Sequence, residues 1–217
     1  MAETNPDAEK KAAAEAAALL VEDGMTLGLG TGSTVAHLLP ALAERGLKLR
    51  CVATSDATEE QARELGITVE DFDSLERLDM AIDGADQIAP DRWLVKGGGG
   101  AHTREKIVAA AAERFVVIAD SSKPVEAIGG PIPLELAAYG IESTLRRLRQ
   151  GVGTVELREA ARSPDGGVIA DYMGEVVDPG ELSTRLAVVP GVVDHGLFPS
   201  RMVTQVLIGR GEQVVSA

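Results

Sequence analysis

Residues 25–39 read MTLGLGTGSTVAHLL. MTLGLG is a short apolar run of the kind a buried strand needs. TGST then supplies glycine and hydroxyls. STVAHLLPALAERG continues with apolar residues at helical spacing, which predicts a helix with Ser33 near its N-cap and Gly46 after its end. Pro40 inside that pattern predicts a kink or a break. A buried strand turning through glycine into a helix is half of a strand–helix–strand unit, and the flanking sequence repeats the pattern. Upstream, Pro6 suits a first helical turn, and an Ala-rich helix follows to about Val21. Downstream, LRCVAT reads as the next strand. SDATEEQARELG reads as a helix capped by Asp56, with Glu59 three residues on as in a capping box. ITVEDF, LDMAID, RWLVKG and ERFVVIAD are further strands, with the helix TREKIVAAAAE between the last two. Strand–helix alternation with apolar strands predicts an α/β fold, a parallel sheet flanked by helices on both faces.

The pattern changes near GGPIPLEL. From there the chain reads as strand PIPLEL, helix ESTLRRLRQ, strand VELREA, turn SPDGG, strand VIADYM, helix PGELSTRLAVV and strand VVDHGLF. This predicts a second, smaller α+β domain. The tail, VTQVLIGRGEQVVSA, reads as one more strand pair able to return to the first sheet. The expected division is 1–128 plus 203–217 for the larger domain and 129–202 for the small one. There is no internal repeat and no low-complexity linker.

The chain has 217 residues, 45% of them apolar but only 3% aromatic, so Ala, Val, Leu and Ile must fill its core. Its net charge of −13 repels nucleic acid and anionic membranes. It also repels anionic ligands, so any phosphate site must be locally positive. The single Cys51, in the apolar run LRCVAT, is expected to be a buried, reduced thiol. The N-terminal stretch begins acidic and does not read as a secretion signal, and no apolar run reaches the roughly 18 residues of a membrane helix. These features predict a cytoplasmic protein with neither nucleic-acid nor membrane partners.

Five polar or glycine-rich loops each follow an apolar strand: TGST (31–34), TSDAT (54–58), DGAD (83–86), KGGGG (96–100) and DSSK (120–123). In an open parallel sheet the carboxyl ends of the strands share one edge, where ligands bind, so the five loops are expected to converge there. Thr31, Gly32, Ser33 and Thr34 form a glycine turn feeding a helix N-terminus, where free amides and hydroxyls suit a phosphate. The stretch is neither a clean dinucleotide fingerprint, since Ser33 takes the third-glycine position, nor a Walker A loop, since no Lys precedes Ser33. Asp83, Gly84, Ala85 and Asp86 place two carboxylates three residues apart, with Asp79 earlier in the same strand. Lys96 precedes four glycines, including Gly97, Gly98 and Gly99. Such a run is costly to order unless backbone must approach a ligand or take positive φ. The next helix carries Glu105 in its first turn, where a carboxylate is favoured by the helix dipole whether or not it reacts. His37 is expected to be structural and His195 a surface or lid residue, while His102 is ambiguous. No histidine pair has metal-ligand spacing. Clustered acids, a lysine and hydroxyls suit proton transfer on a phosphorylated polyol.

The ordered motifs GLGTGSTVAHLL, TSDAT, AIDGAD, LVKGGGGAHTREKIVA, IADSSKPV, PLEL and PGVVDHGLF resemble type A ribose-5-phosphate isomerases, from the first helix to the final strands. The resemblance implies a Rossmann-like domain, closed by the C-terminal tail, plus a small α+β domain. It implies cofactor-free, metal-free interconversion of ribose 5-phosphate and ribulose 5-phosphate through an enediol(ate). Carried over by position, Glu105 is the base, Asp83 assists ring opening and proton movement between oxygens, and Lys96 stabilises negative charge on the enediolate. Thr31 to Thr34, Asp83 to Asp86, Lys96 to Gly99 and Lys123 line the sugar-phosphate site, with Lys10 a weaker phosphate candidate. A homodimer or homotetramer is implied. This sequence departs from the family pattern at Gln87, at His102, at Ala138 and at the SPDGG turn. Competing readings are an isomerase or deaminase of another sugar phosphate and a non-catalytic sugar-phosphate sensor, which would need neither Glu105 nor Lys96. A nicotinamide-dependent oxidoreductase is disfavoured by the imperfect glycine fingerprint.

Overall fold

The computed structural model describes residues 5–211 and 213–216. Residues 1–4, on which the reading of the N-terminus partly rests, and 212 and 217 of the tail lie outside the described residues. In chain order, α1 (Pro6–Ala18) starts at an Asn5 cap whose side chain accepts from the Asp7 and Ala8 amides. The elements β1 (Thr26–Leu29), α2 (Ser33–Glu44), β2 (Arg50–Ala53), α3 (Asp56–Glu64) and β3 (Leu78–Asp83) follow. Then come β4 (Gln87–Ile88), β5 (Leu94–Val95), α4 (His102–Ala111), β6 (Ala112–Asp120) and β7 (Ile132–Leu136). The remainder is α5 (Ile141–Gly151), β8 (Val155–Arg162), β9 (Val168–Tyr172), α6 (Pro179–Ala187), β10 (Val192–His195), β11 (Leu197–Phe198), β12 (Gln205–Arg210) and β13 (Gln213–Ser216).

Two compact units emerge. The first comprises 1–85, 104–123 and 201–217. Its six-stranded sheet has the order β13-β12-β6-β3-β1-β2, parallel throughout except for the antiparallel edge strand β13. The tail does return to this sheet, with β12 pairing β6 from Gln205↔Val116 to Gly209↔Asp120. Side chains alternate across a strand. Leu27 and Leu29 of β1 therefore join the core beneath α1 and α2, with Ala13, Leu38, Met80 and Ile118. Gly28 faces the other way, where a Cβ would lie 2.2 Å from Val108 of α4. Helices thus cover both faces, as the alternation predicts.

The second unit comprises 86–103 and 124–200. Its antiparallel sheet, β10-β7-β9-β8, packs Leu134, Leu136 and Ala170 against Leu145 and Leu148 of α5 and Leu182 and Leu186 of α6. A small sheet, β11-β5-β4, accompanies it.

Several local expectations change. Gly32, not Ser33, is the N-cap of α2, and no side chain caps that helix. Ser55, not Asp56, caps α3, its hydroxyl accepting from the Thr58 amide. The helix α2 runs through Pro40 without a break. ITVEDF forms no strand: Val69 makes one isolated parallel bridge to Cys51, and Phe72–Ser74 is a 3-10 turn. VVDHGLF splits into β10 and β11 at Gly196, whose amide donates to the Pro133 carbonyl. RWLVKG contributes only β5, which pairs antiparallel with β4 and β11 and not with the parallel sheet. Residues 86–103, placed by the sequence reading in the larger domain, cluster with the second unit for that reason.

Candidate functional site

In the first unit, four of the five loops share the carboxyl edge in the order TSDAT, TGST, DGAD, DSSK, set by the strand order β2-β1-β3-β6. The connection from β1 leaves toward the α2 face, and that from β3 leads to α4 on the opposite face. Adjacent strands whose connections part in this way leave a crevice between their carboxyl ends. TGST and DGAD flank it. The chain binds them together: Asp83 Oδ1 accepts from the Thr31 amide at 3.1 Å and from the Gly84 amide at 2.7 Å. Asp83 is 3% exposed. Gly30 permits this approach, since a Cβ there would lie 2.0 Å from the Asp83 carboxyl carbon. TGST is also fastened to TSDAT. Thr31 and Thr54 share a hydroxyl–hydroxyl bond of 2.7 Å, and the Thr58 hydroxyl donates to the Gly30 carbonyl at 2.9 Å. Gly32 takes φ +116° at the helix start, a region that suits glycine. No side chain caps α2, so no capping group of its own occupies the amides of its first turn.

DSSK is anchored from the first helix. The buried Glu9 carboxylate accepts from the Ser121 amide (3.0 Å), the Ser121 hydroxyl (2.6 Å) and the Gly211 amide (2.9 Å). The Ser121 hydroxyl and then the Gly211 and Ser121 amides hold its pKa below the ordinary carboxylate value. Ser122 donates its amide and hydroxyl to Asp120, and the Lys123 amide bonds the Asp120 carbonyl. Glu105, in the first turn of α4, is buried at 6% exposure. Its neighbour Arg104 lies 3.5 Å from Asp56 of TSDAT. Asp79 does not join this edge: it accepts from the Thr26 amide and hydroxyl at the opposite end of the sheet, and the Thr26 amide chiefly holds its pKa low.

KGGGG belongs to the second unit, so it is not one of the loops of the parallel edge, a correction to the five-loop expectation. Lys96 is buried at 3% exposure, its amide donating to the Gly196 carbonyl and its Nζ 5.6 Å from the Phe198 ring centre. Gly97 has φ +101°, and a Cβ on it would lie 2.6 Å from His102 Nδ1. Asp86 Oδ2 accepts from the Gly98 amide at 2.8 Å. On the other side, Arg158 Nη1 donates to the Gly97 and Gly98 carbonyls at 3.0 and 2.8 Å. The rest of its guanidinium grips Asp171 in a fork of 2.6 and 2.7 Å, which raises the Arg158 pKa further.

Two of the departures, Gln87 and the SPDGG turn, find local roles. Gln87 exchanges two bonds with the Gly129 backbone, Nε2 to the carbonyl at 2.8 Å and Oε1 from the amide at 2.9 Å. A glutamate could only accept. Ser163 of SPDGG donates to the buried Glu135, which also accepts from the Thr103 hydroxyl. His37 meets Asp7 at 3.0 Å on the helix surface. His195 is buried rather than on the surface, at the end of β10 where that strand pairs with β7, its Nε2 3.1 Å from the Ser183 hydroxyl of α6. Nothing in the structure explains Ala138. Cys51 is fully buried, and burial pushes its thiol up to about 12.

The reading of the residues missed Glu9, Arg158 and Asp171 as anchors of these loops. Glu9 carried a signal, since an acid in register with Ala13 and Ala17 on the buried stripe of α1 needs partners. Among the described residues no helix is long and apolar enough to cross a membrane, and no group of three or more His, Cys, Asp or Glu is arranged to hold a metal ion.

The profile of the ribose 5-phosphate isomerase A (phosphoriboisomerase A) family matches residues 50–213. The ribose-5-phosphate isomerase A of Caulobacter vibrioides is 46% identical over 221 residues, covering 96% of this chain and 97% of the relative. Among solved structures, ribose 5-phosphate isomerase A from Neisseria gonorrhoeae superposes with a TM-score of 0.94 at 34% identity, covering 98% of this chain and 97% of that one. A D-ribose-5-phosphate isomerase solved in complex with phospho-erythronic acid gives a TM-score of 0.92 at 32% identity, covering 98% of this chain and 99% of that one. With its parallel-edge loops, its glycine run and its full-length likeness to these proteins, the chain belongs to the ribose 5-phosphate isomerase A family.

Proposed function

We propose that this chain interconverts D-ribose 5-phosphate and D-ribulose 5-phosphate as an aldose–ketose isomerase, with Glu105 as the base. The observation that carries the assignment of Glu105 is a buried carboxylate at a helix first turn, directly after the glycine run, in a chain of this family. Asp83, held rigid by two amides, assists opening of the sugar ring. In the open-chain aldose, Glu105 takes the proton from C2. The C–H electron pair becomes the C1–C2 double bond, and the carbonyl electrons move onto O1, which is protonated. Loss of the O2 proton then forms the C2 carbonyl, and Glu105 returns a proton to C1. Lys96 offsets the negative charge that develops on the oxygens. The amides of Thr31 to Thr34 at the start of α2, with Lys123, hold the phosphate, and Gly84 to Asp86 and Gly97 to Gly99 line the sugar. Lys10 is a secondary phosphate contact. No cofactor or metal is required. The protein is a cytoplasmic homodimer or homotetramer, which light scattering on the purified protein distinguishes.

Proton NMR of ribose 5-phosphate with purified protein tests the reading. Ribulose 5-phosphate should appear without additives, and in deuterated water the exchanged carbon should carry deuterium. Absence of turnover, or equal turnover of unphosphorylated ribose, would overturn it.

A further inference from the structure

A run of four glycines has no side chains with which to hold its own shape, so its geometry must be imposed from outside. The guanidinium of Arg158 touches two consecutive carbonyls of the run, those of Gly97 and Gly98. A trans peptide is planar, with its C=O and N–H pointing in opposite directions. The peptide joining Gly97 and Gly98 is therefore gripped at both ends, its oxygen by Arg158 and its N–H by Asp86. The next peptide is gripped only at its oxygen, which turns the Gly99 N–H to the side away from Arg158. Gly98 and Gly99 are exposed, so a ligand can approach this stretch of backbone.

The arginine is itself aimed. Glu156 of β8 pairs with Asp171 of β9, so Arg158 and Asp171 are diagonal neighbours on one face of the sheet. The fork between them is one-quarter exposed or less on both sides. Two of the guanidinium nitrogens are taken by Asp171, which leaves Nη1 directed at the glycine carbonyls. A lysine could carry the charge but not this shape.

We propose that Arg158, oriented by Asp171, is a positioning residue that sets the direction of the glycine-loop amides toward the oxyanion end of the sugar. This rests on the isomerase reading above. Arg158 acts through the loop and touches no substrate. Its loss should weaken recognition of the reacting end of the sugar and spare recognition of the phosphate proposed for Thr31 to Thr34 and Lys123.

The variants R158K and D171N test this against wild type. Calorimetric titration with phospho-erythronic acid probes a carboxylate and a phosphate together, and inorganic phosphate probes the phosphate alone. In R158K we expect affinity for phospho-erythronic acid and kcat/KM for ribose 5-phosphate to fall on the order of 10- to 100-fold, as for a lost charged hydrogen bond. Affinity for inorganic phosphate should stay within about two-fold, since the amides and Lys123 that hold it are untouched. D171N, which keeps the guanidinium but weakens its aim, should move the same quantities by less, and it carries the test if R158K does not fold. The proposal is overturned if phospho-erythronic acid binds both variants as it binds wild type. It is equally overturned if both ligands weaken in parallel, which would mark a general structural role. A wild type that binds phospho-erythronic acid yet turns over no ribose 5-phosphate would instead break the isomerase reading, and the two binding affinities would still decide the role of Arg158.

Discussion

The loop after β1 and the loop after β5 are both rich in glycine, yet they are held in different ways. In TGST the glycines make room: Gly30 lets Asp83 approach, and Gly32 takes the left-handed start of α2. The partners sit on neighbouring strands of one parallel sheet, so the sheet's register alone brings them together. In KGGGG the glycines remove side chains, and shape comes from Asp86 and from Arg158, about sixty residues further along the chain. A loop at a parallel edge inherits its geometry from the sheet. A loop outside it must be clamped by residues with no sequence signature of their own.

The largest effect should come from Glu105, the proposed base, whichever loop is tighter. E105Q keeps the shape and removes the basic oxygen, so kcat should fall on the order of 10²–10⁴-fold with KM nearly unchanged. Near-normal turnover would move the base elsewhere, with Asp83 the first alternative. Next, G30A places a Cβ 2.0 Å from the Asp83 carboxyl carbon and should displace it, lowering kcat/KM about 100-fold. G99A meets nothing within 4 Å and should change kcat/KM by less than that by an order of magnitude or more. If the two glycine variants are equally impaired, the contrast between an inherited and a clamped loop fails.

Smaller again is Lys123→Ala. It should raise KM about ten-fold and lower kcat less, as expected for a contact equal in ground and transition states. A fall confined to kcat would place Lys123 at the reacting carbons and not at the phosphate. E9Q sharpens the comparison on stability instead of rate. It removes a charged acceptor of three bonds and should cost about 1–3 kcal/mol at pH 7, a drop of a few degrees in Tm. Because the folded-state pKa of Glu9 lies below its ordinary value of 4.5, the stabilisation is whole above about 4.5. It is lost as pH falls through the depressed value. The Tm gap between wild type and E9Q should therefore close on acidification; a gap that widens would contradict the ionised, bond-accepting carboxylate. Dialysis against EDTA should leave activity unchanged, and a loss restored by Mg²⁺ would mean that Asp83 and Asp86 hold a cation.

Much of the parallel sheet was legible because its strands are locally apolar and its loops locally polar, and the TGST–DGAD pairing followed from that. What escaped depended on distance or on near-equal choices. RWLVKG looks like any buried strand, but β5 takes its partners from Gln87–Ile88 and from Leu197–Phe198, a hundred residues away. ITVEDF alternates correctly, yet only Val69 finds a bridge. Ser55 and Asp56 are both good caps, and the backbone used the serine one residue earlier. Arg158 reads as the solvent side of an alternating strand, and only the β8–β9 register reveals that it shares a face with Asp171.

The placing of β12 between β6 and β13 has a consequence for synthesis on the ribosome. When Asp120 has been made, β6 is an open edge of the first sheet, and the strand that will cover it begins 85 residues later at Gln205. At about 5–20 residues per second that edge waits roughly 4–17 s for its neighbour. The helix α1 waits with it, since Gly209 lacks a Cβ so that the Glu9 carbonyl can lie against it. The residues that form the second unit are complete by Ser200, before the first unit can close. During that interval an unpaired strand of Phe115–Asp120 invites pairing with another nascent chain. Slowing translation between codons 121 and 204 should therefore raise aggregation more than slowing it after residue 210.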